Sequence, residues 1–167
     1  MRCGGFEHAP NVDAVLWFAK EVYPTILPQY PDMKWYVVGG KVSKKIAELA
    51  LDNIIIEGFV SDEDLEKLYR KCRISIVPLR FGAGVKGKVV EAAYYQIPLV
   101  TTSIGAEGLP LKDQAMLVED NGDKMAKLIC DLYQDYNQLK IMSDRGKRFI
   151  ENNFMISEAE RITRIDI

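Results

Sequence analysis

The chain has 167 residues, of which 48% are hydrophobic and 28% are charged, and its formal net charge is −2. This length and composition are typical of one soluble globular domain with a substantial core. The nearly neutral charge disfavours a general nucleic-acid-binding protein, which would carry a strongly basic surface.

The scarce cysteines and the single histidine exclude several kinds of site. Cys3, Cys72 and Cys130 are far apart and lack C-x-x-C spacing, which indicates reduced thiols and neither a disulfide framework nor a zinc site. His8 is the only histidine, so a two-histidine metal site within this chain is excluded, and we interpret His8 as a solvent-facing loop residue. No apolar run approaches the ~20 residues that span a bilayer. We therefore expect a cytoplasmic protein, and peripheral attachment at the inner face of the membrane stays open.

The first part of the chain contains one short predicted strand and one long predicted helix. The strand, MRC at residues 1–3, is too short to cross a sheet, which favours a chain cut from a longer protein. Asn11 is expected to cap a helix that runs to about Gln29. Pro24 should kink this helix, because proline lacks an N–H and crowds the preceding turn.

From residue 34 onward, short apolar runs alternate with amphipathic segments. Predicted strands lie at residues 34–40, 53–57, 73–79, 98–102 and 115–119. Predicted helices lie at residues 43–51, 61–72 and 88–96, and two or three more follow from about residue 123. Ser61 and Asp64 form a capping-box-like start to the second of these helices. This alternation predicts a doubly wound α/β domain whose parallel sheet is covered by helices on both faces.

The segment FGAGVKGKVVE follows the fourth predicted strand and fits two phosphate-binding patterns incompletely. A P-loop needs Ser or Thr after its lysine to hold magnesium, and here Val89 follows Lys88. The glycines spell the dinucleotide pattern G-x-G-x-x-G, but that pattern normally follows the first strand of its domain. Its ribose-binding acid should also end the next strand, whereas Glu107 lies in a later loop. Both interpretations are disfavoured.

A diphosphate suits this segment better. Glycines allow the backbone to approach an anion closely, and the helix that starts near Lys88 directs free N–H groups towards it. Lys86, Lys88 and Arg80 add full positive charges. Glu91 lies one turn deeper, where its carboxylate could accept hydrogen bonds from ribose hydroxyls. An i, i+3 ion pair with Lys88 on an exposed helix is the alternative role of Glu91.

Residues 78–109, PLRFGAGVKGKVVEAAYYQIPLVTTSIGAEGL, resemble the signature of the retaining GT-B glycosyltransferases known as group 1 or family 4. The resemblance extends to GGFEHAPNVDAVLWFAKEVYP, YVVGG and GFVSDEDLEKLYRKC, and so covers the chain to about Glu119. Enzymes of this family have two Rossmann-like domains that face a cleft. The resemblance implies that residues 1–167 form the C-terminal, nucleotide-sugar-binding domain, with a helical tail from about residue 123. The N-terminal acceptor domain would then lie outside this chain.

The resemblance also implies a set of donor-binding residues. Glu91 matches the second glutamate of the family's E-x7-E motif, which contacts the donor ribose, and Lys88 would act with it in positioning the donor and stabilising the leaving group. Phe59 and Val60 match a turn that contacts the nucleobase. The full set is Phe59, Val60, Arg80, Gly82, Ala83, Gly84, Val85, Lys86, Gly87, Lys88 and Glu91, with Gly5 and Glu107 as secondary candidates.

The implied activity is transfer of a hexose from a nucleoside-diphosphate sugar to a glycan or lipid-linked acceptor, with retention, in cell-envelope polysaccharide or glycoconjugate synthesis. No metal or other cofactor is expected in this domain, and the isolated domain should be inactive. Ala83 departs from the motif, because it stands where many members have the first glutamate, which contacts the donor sugar. Glu107 could approach the sugar or acceptor, or cap its loop. A nucleotide-sugar epimerase-like enzyme and a non-catalytic nucleotide-binding module are the alternative functions.

Overall fold

The computed structural model describes residues 5–110 and 115–154. Its strands are β1 (Trp35–Val38), β2 (Ile54–Gly58), β3 (Ser75–Val77), β4 (Leu99–Thr101) and β5 (Met116–Val118). Its longer helices are α1 (Ala9–Trp17), α4 (Asp62–Lys71), α5 (Gly87–Tyr94), α7 (Gly122–Gln134) and α8 (Tyr136–Asn153). Its short helices are α2 (Tyr23–Ile26), α3 (Lys44–Ala47) and α6 (Ser103–Ala106), and a π-helix at Phe18–Val22 joins α1 to α2.

The predicted parallel α/β architecture is confirmed. β1 pairs with β2, and β3, β4 and β5 pair in that order, all in parallel. Each strand lies inside a segment predicted from the sequence, except that β2 extends one residue further, to Gly58, and most of the strands are shorter than predicted. The strand predicted at residues 1–3 lies outside the described residues.

Helices cover both faces of the strands. Neighbouring strand residues accordingly point into two different apolar clusters. Ile76 and Val100, which are register partners, join the cluster beneath α1, α2 and α7. Val77 and Leu99 join the cluster beneath α4, α5 and the end of α8. Val37 and Val38 of β1 divide in the same way. Both groups of strands therefore share two cores, as a doubly wound domain requires.

The start of the first helix differs from the prediction. α1 begins at Ala9 with Pro10 in its first turn, so Asn11 lies inside the helix and does not cap it. Proline favours a first turn because its φ is already helical and its missing N–H would have no partner there. Asn11 is buried, and its Nδ2 donates a hydrogen bond to the Gly5 carbonyl at 2.9 Å.

Pro24 perturbs the helix through the π-helix that precedes it. The widened turn at Phe18–Val22 ends directly before α2, and Pro24 then falls in the first turn of α2. A π-turn changes the hydrogen-bond spacing, which lets the chain remain helical where proline offers no N–H. The regular helix ends at Ile26, three residues before the predicted end.

Candidate functional site

The glycine loop, which we define as residues 81–87, lies where β3 has ended and α5 begins. The last residue of β4 and the residue after it hold the adjacent backbone: Thr101 Oγ1 donates to the Val77 carbonyl at 2.7 Å, and Thr102 Oγ1 donates to the Leu79 carbonyl. Both hydroxyls are buried. The loop therefore leaves a fixed edge of the sheet, at the carboxyl ends of parallel strands, where ligands of such sheets bind.

Three glycines keep the backbone of the glycine loop open. Gly82 has φ 122° and Gly84 has φ 77°, which are left-handed conformations that favour glycine. A Cβ atom on Gly84 or Gly87 would meet nothing within 4 Å. Packing therefore does not require glycine at these two positions, and a ligand can approach the backbone there.

The N-terminus of α5 is also open. Gly87 is its first residue, and no side chain caps the helix at Lys86. The first turn contains no acidic residue. The first N–H groups of α5 and the positive end of the helix dipole thus lie at the end of the glycine loop, an arrangement that binds phosphate groups.

The two lysines of this region have different surroundings. Lys86 Nζ donates to the Gly84 carbonyl, to the Gly82 carbonyl at 3.5 Å and to Glu107 Oε2 at 3.1 Å. Lys88 Nζ donates to Asn11 Oδ1 at 2.6 Å. The structure thus brings Lys86 together with Glu107, and Lys88 together with the first turn of α1.

Asn11 is a residue of this site that the sequence analysis missed. Its amide is oriented by both of its partners, since it donates to Gly5 and accepts from Lys88. A signal was present in the sequence: Asn11 precedes the buried residues Ala14 and Val15 by three and four positions, so it lies on the apolar stripe of the helix. A polar residue on such a stripe needs a buried partner.

Arg80 is tied to α1. Its Nε donates to Asp13 Oδ2 at 2.8 Å, a second guanidinium nitrogen donates to Asp13 Oδ1, and the guanidinium carbon lies 5.9 Å from the Trp17 ring centroid. The hydrogen bond with Asp13 raises the pKa of Arg80 above its usual value. Asp13 therefore neutralises part of the charge that Arg80 contributes to the site. Asp13 is not among the site residues predicted from the sequence.

Glu91 lies in the second turn of α5, on the wall of an open groove of about 590 Å³. The other residues that line this groove are Asp62, Gly87, Val90, Tyr94, Tyr95, Ile150 and Phe154. Gly87 and Glu91 thus share one groove, which runs along α5 from its first residue to Tyr95.

Phe59 and Val60 follow the end of β2. Gly58 has φ 67°, and the turn that it forms leaves Phe59 86% exposed. A phenylalanine ring is usually buried, and the exposure of this one leaves its face available for stacking. Gly5, the other secondary candidate, contributes its carbonyl to Asn11.

Three further observations on the described residues concern cavities, metal sites and membrane spans. A larger cavity of about 950 Å³ lies around Arg73 and Pro98, at the amino ends of β3 and β4. Within residues 5–110 and 115–154, no three His, Cys, Asp or Glu side chains are grouped closely enough to hold a metal ion. No helix in the same ranges is both long and apolar enough to cross a membrane.

Comparison with known sequences places the chain among sugar-transferring proteins. A family model described as "Glycosyl transferases group 1" matches residues 1–135. An uncharacterised 44.6 kDa protein in the cps region of Klebsiella pneumoniae is 29% identical over 152 residues. The match covers 86% of this chain and 39% of that relative, so the chain spans well under half of the relative's length.

Comparison with solved structures shows that the chain has the fold of known glycosyltransferase domains. The C-terminal domain of LpcC, a group 1 family glycosyl transferase from Francisella tularensis, has a TM-score of 0.71 at 16% identity, and the match covers 93% of this chain and 85% of that domain. WaaG, a glycosyltransferase involved in lipopolysaccharide biosynthesis, has a TM-score of 0.72 at 13% identity, with 98% of this chain and 45% of WaaG covered. At these identities the likeness shows a common Rossmann-like GT-B fold.

Proposed function

Because the chain belongs to the group 1 glycosyltransferases, we propose that its glycine loop binds the diphosphate of a nucleoside-diphosphate sugar for transfer of the sugar to an acceptor. The observation that carries this proposal is the uncapped N-terminus of α5, which lies directly behind the glycine loop and carries Lys88 and Glu91 on its first two turns. The backbone amides of a helix N-terminus and a lysine suit a diphosphate, and a carboxylate one turn further along suits the ribose attached to it.

The chemistry of the proposed transfer depends on stabilising the leaving group. As the bond to the sugar breaks, negative charge grows on the diphosphate oxygens. The N–H groups at the start of α5 and the Lys88 ammonium are positioned to stabilise that charge. Asn11 holds Lys88 towards the loop, while Glu91 accepts hydrogen bonds from the ribose hydroxyls. In this proposal no metal or cofactor held by this domain takes part.

The remaining donor contacts follow from the ends of the neighbouring strands. The exposed ring of Phe59 and the adjacent Val60 would contact the nucleobase. Backbone groups of Gly82, Ala83, Gly84 and Val85 would face the phosphates. Ala83 offers no carboxylate to the sugar, so we assign the sugar contact to no residue of this loop. Arg80 supports the site through its pairing with Asp13.

We further propose that residues 1–167 form the donor domain of a longer enzyme whose other domain binds the acceptor. The chain covers 39% of its Klebsiella relative, which leaves room for such a domain. Hexose as the sugar, retention of configuration, cytoplasmic location and inactivity of the isolated domain belong to the same proposal. The relative's place in the cps region and the role of WaaG in lipopolysaccharide biosynthesis support an acceptor in cell-envelope polysaccharide synthesis.

Calorimetric titration of the chain with UDP, GDP and ADP tests the proposed donor site. We expect one of these nucleotides to bind, and we expect Lys88→Met and Glu91→Gln each to weaken that binding about 10-fold or more, as for the loss of a hydrogen bond to a charged group. Lys127→Met is the matched control, because Lys127 is an exposed lysine that pairs with Asp131 on α7. Absence of binding to all three nucleotides, or equal binding by the Lys88 and Glu91 variants, would contradict the proposal.

A further inference from the structure

We propose that Lys86 and Glu107 act together as positioning residues: they hold the glycine loop in its diphosphate-binding shape, and Lys86 acts on the donor through the loop and not by touching it. This inference rests on the proposed function, because it assigns roles within the same site. It gives Lys86 a role that does not involve contact with the donor, whereas the sequence placed both lysines of the segment among the donor-binding residues.

The donors of the Lys86 ammonium are directed at acceptors within the protein. An ammonium group carries three N–H donors, and Lys86 Nζ has three acceptors: the carbonyls of Gly82 and Gly84 and the carboxylate of Glu107. The Lys86 side chain is only 10% exposed, although the residues before it in the loop are exposed. The lysine is therefore folded into the loop as its internal cation.

The shape of the glycine loop needs such a cation. Gly82 and Gly84 both have positive φ, and their carbonyls converge on the same ammonium. Glycine loses more conformational freedom than other residues when it is fixed. Without the ammonium the two carbonyl oxygens would lose their common partner, so the loop would sample other shapes in which its amides no longer face one phosphate group.

Glu107 connects this cation to a rigid part of the fold. It follows α6, whose start is fixed because Thr102 Oγ1 accepts from the Gly105 N–H at 3.2 Å and donates to the Leu79 carbonyl. The turn at Gly108, with φ 75°, also lies close to the loop: a Cβ at Gly108 would lie 3.2 Å from Val85 Cγ2. The turn after α6 thus lies beside Val85 and contacts the adjacent Lys86.

The two possible roles of Lys86 predict opposite effects of removing the negative charge of Glu107. If Lys86 bound the diphosphate directly, Glu107→Gln would release the ammonium and remove a nearby anion, so nucleotide binding would become tighter. If Lys86 and Glu107 position the loop, the same change weakens binding although it makes the site more positive. Electrostatics alone cannot produce that weakening.

A double-mutant cycle on the 167-residue chain tests this inference. Affinities for UDP, GDP and ADP are measured for the wild type, Lys86→Met, Glu107→Gln and the double variant, and the tightest-binding nucleotide is used for the cycle. We expect each single change to weaken binding about 5- to 10-fold, and the double variant to bind no worse than the weaker single variant, because residues in contact are not additive. Tighter binding by Glu107→Gln would overturn the inference. So would a double variant whose loss of affinity equals the product of the two single losses.

A second measurement does not depend on any nucleotide. Backbone ¹⁵N order parameters of residues 82–88 in the ligand-free chain should fall from the rigid range of about 0.85 to about 0.6 or below in both Lys86→Met and Glu107→Gln. The matched control is the exposed Lys67–Glu63 pair on α4, whose removal by Lys67→Met should leave the order parameters of the loop unchanged. Unchanged order parameters in the Lys86 and Glu107 variants would refute the positioning role, whereas absence of nucleotide binding by the wild type would refute the proposed function alone.

Discussion

At the scale of single residues, the surroundings of a side chain decide what it can do. Lys86 and Lys88 are two positions apart, yet one is held by carbonyls of its own loop and the other by Asn11, 77 residues earlier in the chain. Glu107, for which contact with substrate and capping of its loop were both open, lies against Lys86. Residue type and spacing predict that these charges gather at one site, but they do not predict which charges neutralise each other.

Tyr23 provides a residue-scale prediction about pH. Burial raises its pKa to about 12, compared with 10 for an exposed tyrosine. Its hydroxyl donates to the Met33 carbonyl at 2.6 Å and lies 3.0 Å from that of Asn53. Because the folded state holds this proton more tightly, the stability that it contributes is fully present below pH 10. It is lost as pH rises from 10 to 12, by about 1.4 kcal/mol per pH unit.

Urea unfolding at pH 9, 10 and 11 measures this effect. Tyr23→Phe should reduce the decline of the unfolding free energy with pH, and should itself cost about 0.5–1.5 kcal/mol at pH 8 because the hydrogen bond to the Met33 carbonyl is lost. Tyr94→Phe, at a tyrosine that is 63% exposed, is the control and should leave the slope unchanged. A slope that is the same in Tyr23→Phe as in the wild type would show that Tyr23 is not the group responsible.

At the scale of elements, the two helix caps predicted from the sequence have different outcomes. Ser61 was predicted to begin a helix, and its Oγ accepts from the Asp64 N–H at 3.1 Å. The cap predicted at Asn11 is wrong, because Pro10 moves the start of α1 to Ala9 and the buried environment uses the Asn11 amide elsewhere. Pro10, which stands directly before Asn11, thus determines where α1 begins.

The Ser61 cap gives an element-scale prediction. Ser61→Ala should lower the free energy of unfolding by about 1 kcal/mol, which corresponds to a melting temperature about 2–4 °C lower in a domain of this size. Ser61→Asp is the matched control and should keep most of the stability, because aspartate also caps helices. Equal melting temperatures for Ser61→Ala and the wild type would contradict a stabilising role of the cap.

The same substitution should change the titration of Asp64. The hydrogen bond from Ser61, followed by that from Lys67, lowers the pKa of the Asp64 carboxyl. A lowered pKa contributes stability that is lost as pH falls through the folded-state value. Ser61→Ala should therefore raise the pKa of Asp64, which NMR titration of the side-chain carboxyl measures directly.

At the scale of the whole molecule, close approaches between layers determine where a side chain is forbidden. A Cβ at Gly105 would lie 2.0 Å from Thr101 Oγ1 and 2.9 Å from the Val77 carbonyl oxygen. At Gly146, where α8 crosses α5, a Cβ would lie 3.4 Å from the Ala93 carbonyl oxygen. The first contact is impossible without movement, whereas the second is an ordinary van der Waals contact.

These two glycines give a matched prediction. Gly105→Ala should destabilise the domain by about 1–3 kcal/mol, because the methyl group must displace a strand end. Gly146→Ala should change stability by less than about 1 kcal/mol, since the better helix propensity of alanine offsets any small cost of this contact. Urea unfolding of both variants measures the difference, and equal stabilities would contradict the packing described between α6 and the ends of β3 and β4.

The sequence by itself determined the type and order of the strands and of the longer helices, the parallel α/β class and the family, although it did not predict the short helix α6 or the π-helix. These follow from short-range causes: apolar periodicity within each element, turn residues between elements, and a glycine and lysine motif contained in one contiguous segment. Only the tertiary structure decided the partners of that motif. Lys88 meets Asn11, Arg80 meets Asp13, and Lys86 meets Glu107, because strand pairing and helix packing bring together residues that no local pattern connects.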